Sequence, residues 1–259
     1  VNKIAFTGST EVGRKIRKIT AGKGKKVTLE LGGKSPFIIF DDSDIDSAIE
    51  GLVDAIWLNQ GEVCCAGSRL LVQESIADIV QKKIIERIKK LRVGNPLDKS
   101  VDMGAIINES QLGQIAKMVE KSRGEGASIF QPKITFNEKG CFYPPTLITD
   151  VEPSMEIVRE EIFGPVLVML TFRTPNEAVE ISNNTQYGLA ASIWTENINL
   201  ALDMAPKIKA GVIWINSSNI FDAAVGFGGY RESGFGREGG KEGIFEDLQP
   251  KESQYIGQT

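Results

Sequence analysis

The strongest constraint on this chain is an alternation of short apolar runs with stretches of helical spacing. PFIIF (36–40) is a continuous apolar run of the kind found inside a buried sheet, and RLLVQ (69–73), PVLVMLTF (165–172), LAASIWT (189–195) and GVIWIN (211–216) also read as strands. Between them, Val12, Ile16 and Ile19 fall on one helical face, with Ser9 as a natural N-cap. DDSDIDSAIEGLVDAIWLNQ (41–60) reads as a capped helix with Ile45, Ala48, Ile49, Leu52 and Ile56 on one face. Residues 75–91 form another, with a core stripe of Ile76, Val80, Ile84, Ile88 and Leu91 and lysines outward. Further helices are predicted near 109–122, 176–183 and 198–208, and further strands at 4–6, 27–31 and 127–130. This order predicts an α/β fold with a mostly parallel sheet. The 259 residues suffice for one large or two modest domains. The segment 226–243 is rich in glycine but also carries aromatic and charged residues, so it reads as a shaped loop rather than a linker.

Composition removes several functional classes. A net charge of -4 and a pI near 5.2 give no electrostatic case for nucleic acid or an anionic membrane. No apolar run is long enough to span a bilayer, and no signal peptide is legible. Three cysteines, two of them adjacent, make a poor disulfide framework, which predicts a reducing, cytoplasmic setting. The absence of histidine excludes Ser-His-Asp and Cys-His catalysis and histidine-based zinc sites. Any general base is therefore a carboxylate, a lysine, a tyrosine or a bound water. The chain opens on Val1, and VNKIAFTGS reads as a strand entering a turn, which predicts a chain that starts inside a domain.

Four motifs remain, each with a plain structural reading beside the chemical one. FTGSTEVG (6–13) is a strand, a turn and a helix start, a geometry that suits a phosphate but also describes a simple capped helix. ELGGKSP (30–36) sets a carboxylate at a strand end before two glycines, where it could act as a base or simply lie on the surface. GFGREG (234–239) matches GxGxxG but lacks a βαβ context, so the dinucleotide reading fails. In NQGEVCCAGSR (59–69), packing is the default for a cysteine, yet the pair sits in a glycine-framed helix-to-strand connection, where catalytic groups often lie. Without histidine, a thiolate there needs help from backbone dipoles, a cation or a carboxylate base.

Taken together and in order, FTGSTEVG, VTLELGGKSP, NQGEVCCAGSR, EEIFGPV, NNTQYGLAASIWT, GVIWIN and GFGGYRESGFGRE resemble the aldehyde dehydrogenase superfamily, specifically its catalytic half. The resemblance implies that Cys64 is the nucleophile and Glu30 the general base, with Cys65 a neighbour of no assigned role. It implies that Glu161 and Phe163 hold the nicotinamide ribose, that Gly8, Ser9 and Leu31 belong to the cofactor site, and that Phe227 shapes the substrate tunnel. The implied cofactor is NAD or NADP, the substrate a small aldehyde, and the assembly a homo-oligomer without nucleic acid, membrane or metal. The implied organisation is a remnant of the NAD-binding domain over 1–32, a catalytic domain over 33–232, and a glycine-rich loop and tail over 233–259 whose KESQYIGQT could be an oligomerisation strand.

The resemblance also implies the chemistry. Cys64 attacks the aldehyde to form a thiohemiacetal, hydride loss gives a thioester, and Glu30 activates water to release the acid. Retention of Glu30 favours hydrolysis over acyl transfer to coenzyme A and counts against a glutamyl phosphate reductase type. The family's oxyanion asparagine would lie upstream of Val1, and losing such a donor typically costs ~100-fold in rate. DSAIEGLVDAIW, VDMGA, FYPPTL and LQP are similar to the family-16 branch, some members of which lack the cysteine and serve as scaffolds. Cys64, Glu30 and Glu161 are all present here. Glu62 stands where glutamine is usual, and it is expected to disfavour the thiolate.

Overall fold

The structure is a computed structural model and describes residues 1–134, 136 and 139–248. It contains two sheets. The larger has seven strands: β3 (Pro36–Ile39), β4 (Arg69–Gln73), β5 (Ser128–Phe130), β6 (Thr146–Thr149), β7 (Val166–Phe172), β8 (Ala190–Trp194) and β9 (Val212–Ile215), in the order β5-β6-β7-β4-β3-β8-β9. Every neighbouring pair is parallel except β5 with β6. The smaller sheet, in the order β1-β2-β10, joins β1 (Lys3–Thr7) and β2 (Lys26–Glu30) in parallel and adds β10 (Gly234–Phe235) antiparallel to β2.

The core follows from strand alternation. Side chains two apart share a face. Phe37, Ile39, Leu70, Val72, Leu167 and Met169 pack on one side of the large sheet. They meet α2 (Ile45–Trp57) and α3 (Ala77–Ile88) through Ile49, Leu52, Ile56, Val80, Ile84 and Ile88. Ile38, Leu71, Val168, Leu170 and Ile193 form the other face. There they pack on α4 (Glu109–Gly124), α6 (Pro175–Asn183) and α7 (Ile198–Met204) through Ile115, Val119, Ala178, Ala201 and Met204. A sheet covered on both faces explains why its strands read as unbroken apolar runs.

Helix ends depart from the expected bounds for local reasons. α1 (Thr10–Thr20) starts where Ser9 accepts from Val12 N–H at 3.3 Å. α2 begins at Ile45 because Asp44 caps it, accepting from Ser47 N–H at 3.0 Å, and it stops at Trp57 rather than residue 60. α7 ends at Met204, and Ala205–Lys207 continue as a 3₁₀ turn that takes Pro206. Proline lacks the N–H that would extend the α-helix.

Two expectations need correction. The strand β6 and the one-turn helix α5 (Glu156–Arg159) are not predicted from the sequence. The segment read as a loop over 226–243 contains β10 and the start of α8 (Gly240–Asp247). Glycine weakens intrinsic helicity, and here tertiary contacts compensate: Lys26 Nζ donates to the Phe245 carbonyl at 2.7 Å, and Lys3 pairs with Asp247. The strand proposed in KESQYIGQT lies outside the described residues. Among the described residues, no helix is long and apolar enough to cross a membrane.

Leu71 is fully buried in the central strand β4. Leu71→Ala is expected to cost about 2–5 kcal/mol of unfolding free energy. Urea titration should show a lower midpoint with an unchanged slope.

Candidate active site

Parallel pairing sends like strand ends to one edge. The connections preceding β3, β4, β7 and β8 (residues 31–35, 58–68, 160–165 and 184–189) therefore all lie at the amino edge of the large sheet. The small sheet meets that place with its carboxyl edge, where β1 ends at Thr7 and β2 at its register partner Glu30. Open α/β sheets usually gather ligands outside carboxyl ends. Here only the small sheet does so.

The loop that carries Cys64 and Cys65 is held rigidly. α2 runs into a turn in which Asn59 (φ 50°), Gln60 (φ 58°) and Gly61 (φ 72°) are all left-handed. A non-glycine residue in this region is strained and persists only when its surroundings fix it. Gln60 Oε1 accepts from Gly104 N–H at 2.8 Å, and Asn59 Nδ2 donates to the Glu62 carbonyl at 3.0 Å. A Cβ at Gly61 would overlap the Gly164 backbone. Glu62 turns away from the thiol and accepts from Ile107 N–H at 3.1 Å. This corrects the expectation that Glu62 sets its charge against the thiolate, because the charge that opposes Cys64 ionisation is that of Glu161.

The two adjacent thiols are unequal. Cys65 is 3% exposed, and its Sγ lies 3.4 Å from Asn219 Oδ1. The adjacent Cys65 thiol pulls Cys64 below the ordinary thiol range, against burial and Glu161. The same neighbour, with burial, pushes Cys65 up.

Glu30 is 5% exposed, and neither carboxylate oxygen has a hydrogen-bond partner among the described residues. Burial raises its carboxyl to about 8, with Glu238 and Cys64 adding to the rise and Arg237 opposing it. The glycine-rich tail makes the enclosure. Gly234 pairs with Glu30, Ser233 O accepts from Leu31 N–H at 3.0 Å, and Ser233 Oγ donates to the Gly32 carbonyl at 2.6 Å. Phe227 and Glu238 exchange two backbone hydrogen bonds of 2.7 Å, which sets both beside Glu30. GFGREG therefore covers the carboxylate, a role the sequence reading did not assign it.

Glu161 closes the opposite side. Its Oε1 accepts from Gly33 N–H at 3.1 Å, and burial raises its carboxyl to about 7. A Cβ at Gly32 would overlap Glu161 Oε2, and one at Gly33 would overlap the Cys64 carbonyl. The two glycines after Glu30 are thus required by close approach rather than by backbone conformation. Lys34, which follows them, is 1% exposed, and burial lowers its ammonium to about 7.

The remaining predicted residues fall around this centre. Gly8 N–H donates to the Glu30 carbonyl at 3.0 Å, so Gly8 and the capping Ser9 shape the turn before α1. Leu31 is buried against Gly13 of α1. Phe163 is left-handed (φ 52°) and exposed, with its carbonyl held by Gln111 Nε2 at 2.9 Å. The start of α1 reaches the Glu161 segment through hydrogen bonds from Thr10 to Glu232, Glu232 to Gln186, and Gln186 to Glu160. Phe227 stacks edge-on with Phe221 (5.1 Å) and Phe221 with Trp214 (5.9 Å), forming an aromatic wall next to the cysteines. Sequence reasoning missed Asn219, Phe221, Trp214 and Ser233. Only Arg237 and Glu238 carried a legible signal, as charges in the glycine-rich tail. Among the described residues, no group of three or more Cys, Asp or Glu could hold a metal.

Comparison with known proteins agrees with this geometry. The model of the aldehyde dehydrogenase family matches residues 1–252. An aldehyde dehydrogenase of Enchytraeus buchholzi is 46% identical over 97% of this chain and 51% of its own length. Aldehyde dehydrogenase, cytosolic 1, of Rattus norvegicus is 42% identical over 97% of this chain and 50% of its own. The crystal structure of betaine aldehyde dehydrogenase from Staphylococcus aureus in complex with NAD+ superposes on all of this chain with a TM-score of 0.92 at 37% identity, covering 54% of that protein. The chain therefore belongs to the aldehyde dehydrogenase family. The chain spans about half the length of the relatives it matches.

The Glu30 carboxyl gives a signed test. Its folded value lies above the unfolded one, so the folded state keeps the proton as pH rises from 4.5 to about 8 while the unfolded state loses it. The wild-type chain therefore loses stability across that window. Glu30→Gln should lose less, so its stability relative to wild type should rise between pH 4.5 and 8 and level off above. Urea unfolding at pH 4, 6 and 9 checks this, and a constant difference contradicts it.

Proposed function

We propose that this chain is the catalytic half of an NAD(P)-dependent aldehyde dehydrogenase, which oxidises a small aldehyde to its carboxylic acid. One observation carries the reading: the Gly32–Gly33 link sets the Cys64 backbone, Glu161 and the buried Glu30 together at the seam between the two sheets. Cys64 as thiolate attacks the aldehyde carbon to give a thiohemiacetal, and the Cys64 backbone N–H is the donor this chain offers to the oxyanion. Loss of hydride leaves a thioester on Cys64. Glu30 then takes a proton from the water that attacks the thioester and releases the acid. A base with a value near 8 suits that task at neutral pH, because it is both populated and strong enough. The aromatic wall of Trp214, Phe221 and Phe227 excludes water from the tunnel side.

The residues present fit a dinucleotide. Glu161 keeps Oε2 against bare Gly32 with no donor on it among the described residues, a place for ribose hydroxyls, and Phe163 stands exposed two residues on. Gly8, Ser9 and Leu31 form the turn and the packing at the start of α1, where an anion is favoured. The dinucleotide, when bound, supplies the acceptor for the hydride. We further propose that 1–32 are the end of the cofactor domain and 33–232 the catalytic domain, with 233–259 closing the site and serving assembly into a homo-oligomer. Cytoplasmic residence is proposed from the cysteine usage and from the cytosolic relative.

In the complete protein, Cys64→Ser should abolish aldehyde oxidation, and wild-type turnover from that variant overturns the assignment. Glu30→Gln should preserve the initial burst of NADH but slow its steady state by roughly 100-fold. The deacylation rate should rise with pH in wild type, half-maximal near 8 and level above that, and this limb should vanish in the variant. Gly32→Ala should displace Glu161 and raise the Kd for the dinucleotide at least tenfold, as measured by calorimetry.

A further inference from the structure

Three segments of the chain form a joint: the loop 58–65 that carries the thiols, the amino end of α4, and the stretch 161–165 that begins with Glu161. Two sides of the joint close on Gly164. A Cβ at Gly61 would overlap the Gly164 backbone, so the thiol loop lies directly on that stretch. A Cβ at Gly164 would in turn overlap the Ile115 side chain of α4. In the first turn of α4, Gln111 Nε2 donates to the carbonyls of Ile162 and Phe163, each at 2.9 Å.

The third side, between the thiol loop and α4, is closed by two side chains of the loop. Gln60 Oε1 accepts from Gly104 N–H at 2.8 Å, and Glu62 Oε1 accepts from Ile107 N–H at 3.1 Å. Ile107 directly precedes Asn108, the N-cap of α4. The Glu62 carboxylate therefore lies at the positive end of a 16-residue helix, where its charge strengthens the bond. Its backbone is fixed as well. Glu62 N–H donates to the Asn59 carbonyl at 3.0 Å, and its own carbonyl accepts from Asn59 Nδ2 at 3.0 Å. Just beyond it, Ala66 N–H donates to the Val63 carbonyl at 3.1 Å, closing a turn with Cys64 and Cys65 at its two central positions. Glu62 thus stands at the entry to the turn that presents the thiols, and it ties that entry to the helix end that also holds Ile162 and Phe163.

We propose that Glu62 is a positioning residue: by fastening the thiol turn to the amino end of α4, with Gln60 beside it, it sets Cys64 at a fixed distance from the Glu161–Phe163 segment and so from the dinucleotide. This rests on the readings of Cys64 as the nucleophile and of Glu161 and Phe163 as cofactor-binding. Hydride transfer is the step that needs both at once, because the carbon held on Cys64 and the hydride acceptor must meet in register. Dinucleotide affinity draws on the 161–163 segment without the thiol. Thioester hydrolysis draws on Glu30, whose link reaches the Cys64 backbone at Gly33 and not through α4.

The test uses the complete protein. Glu62→Met keeps the reach of the side chain and removes the acceptor. The rate of its NADH burst should fall roughly tenfold. The Kd for NAD by calorimetry and the rate of acid release from the acylated enzyme should stay within about twofold of wild type. Glu62→Gln keeps an acceptor for Ile107 N–H and should hold the burst within about threefold of wild type. An unchanged burst in Glu62→Met overturns the proposal whatever its urea midpoint, because a tie that serves only the fold changes stability without slowing one step. A burst and an acid release that slow together while the Kd rises overturn it too, as does a Gln variant as slow as Met. Should Glu62→Met not fold, Gln60→Met opens the same side of the joint and should slow the burst with the Kd unchanged; an unchanged burst there overturns the proposal. Cys64→Ser, measured alongside, keeps the two readings apart. Turnover in that variant removes the nucleophile, whereas an inactive Cys64→Ser beside an unchanged burst in Glu62→Met removes only the role of Glu62.

Discussion

Everything at this site depends on how little space separates Glu30 from Ser35. In that link the chain passes from the carboxyl edge of one sheet to the amino edge of the other, and it must do so with almost no side-chain volume. Glu161 occupies the room a Cβ at Gly32 would take, and the Cys64 backbone occupies the room at Gly33. The close approach brings two carboxylates and a thiol together, and burial outweighs the pull of Arg237 on Glu30 and of Lys34 on Glu161. The result is a set of groups pushed from their ordinary ranges mainly by loss of water rather than by ion pairing.

The glycine-rich tail has the complementary task. Glu30 has no donor among the described residues, and burying such a group is costly unless it is neutral. β10 and the Phe227–Glu238 bridge cover it and add a second carboxylate nearby, which keeps the proton on Glu30 until chemistry calls for a base. The lid stabilises the protonated form and thereby stores the basicity that thioester hydrolysis uses.

Much of the fold was legible because its strands are covered on both faces. Runs such as PFIIF and RLLVQ need no partner to be recognised, and the stripe from Ile76 to Leu91 announced its buried side. α8 was not legible, because its stability comes from Lys3 and Lys26 far away in the chain. The same division holds at the site. Glu30, Cys64 and Glu161 sit in compact motifs that carry a resemblance. Asn219 and Phe221 lie in an unremarkable loop, and only folding brings them to the cysteines. Glu62 shows the reverse error: proximity in sequence suggested an electrostatic role, and a single hydrogen bond to Ile107 removed it.

The four connections that build the site all leave the large sheet at one edge, which leaves the other edge chemically silent. There Asp42 is satisfied by Thr195 and Asn197, and Arg173 by Glu177. A change of loop length on that side can reach the reacting groups only by sliding a whole strand past two neighbours. The molecule is therefore partitioned into a rim that gathers the buried carboxylates and thiols and a rim whose loops can change length without moving them.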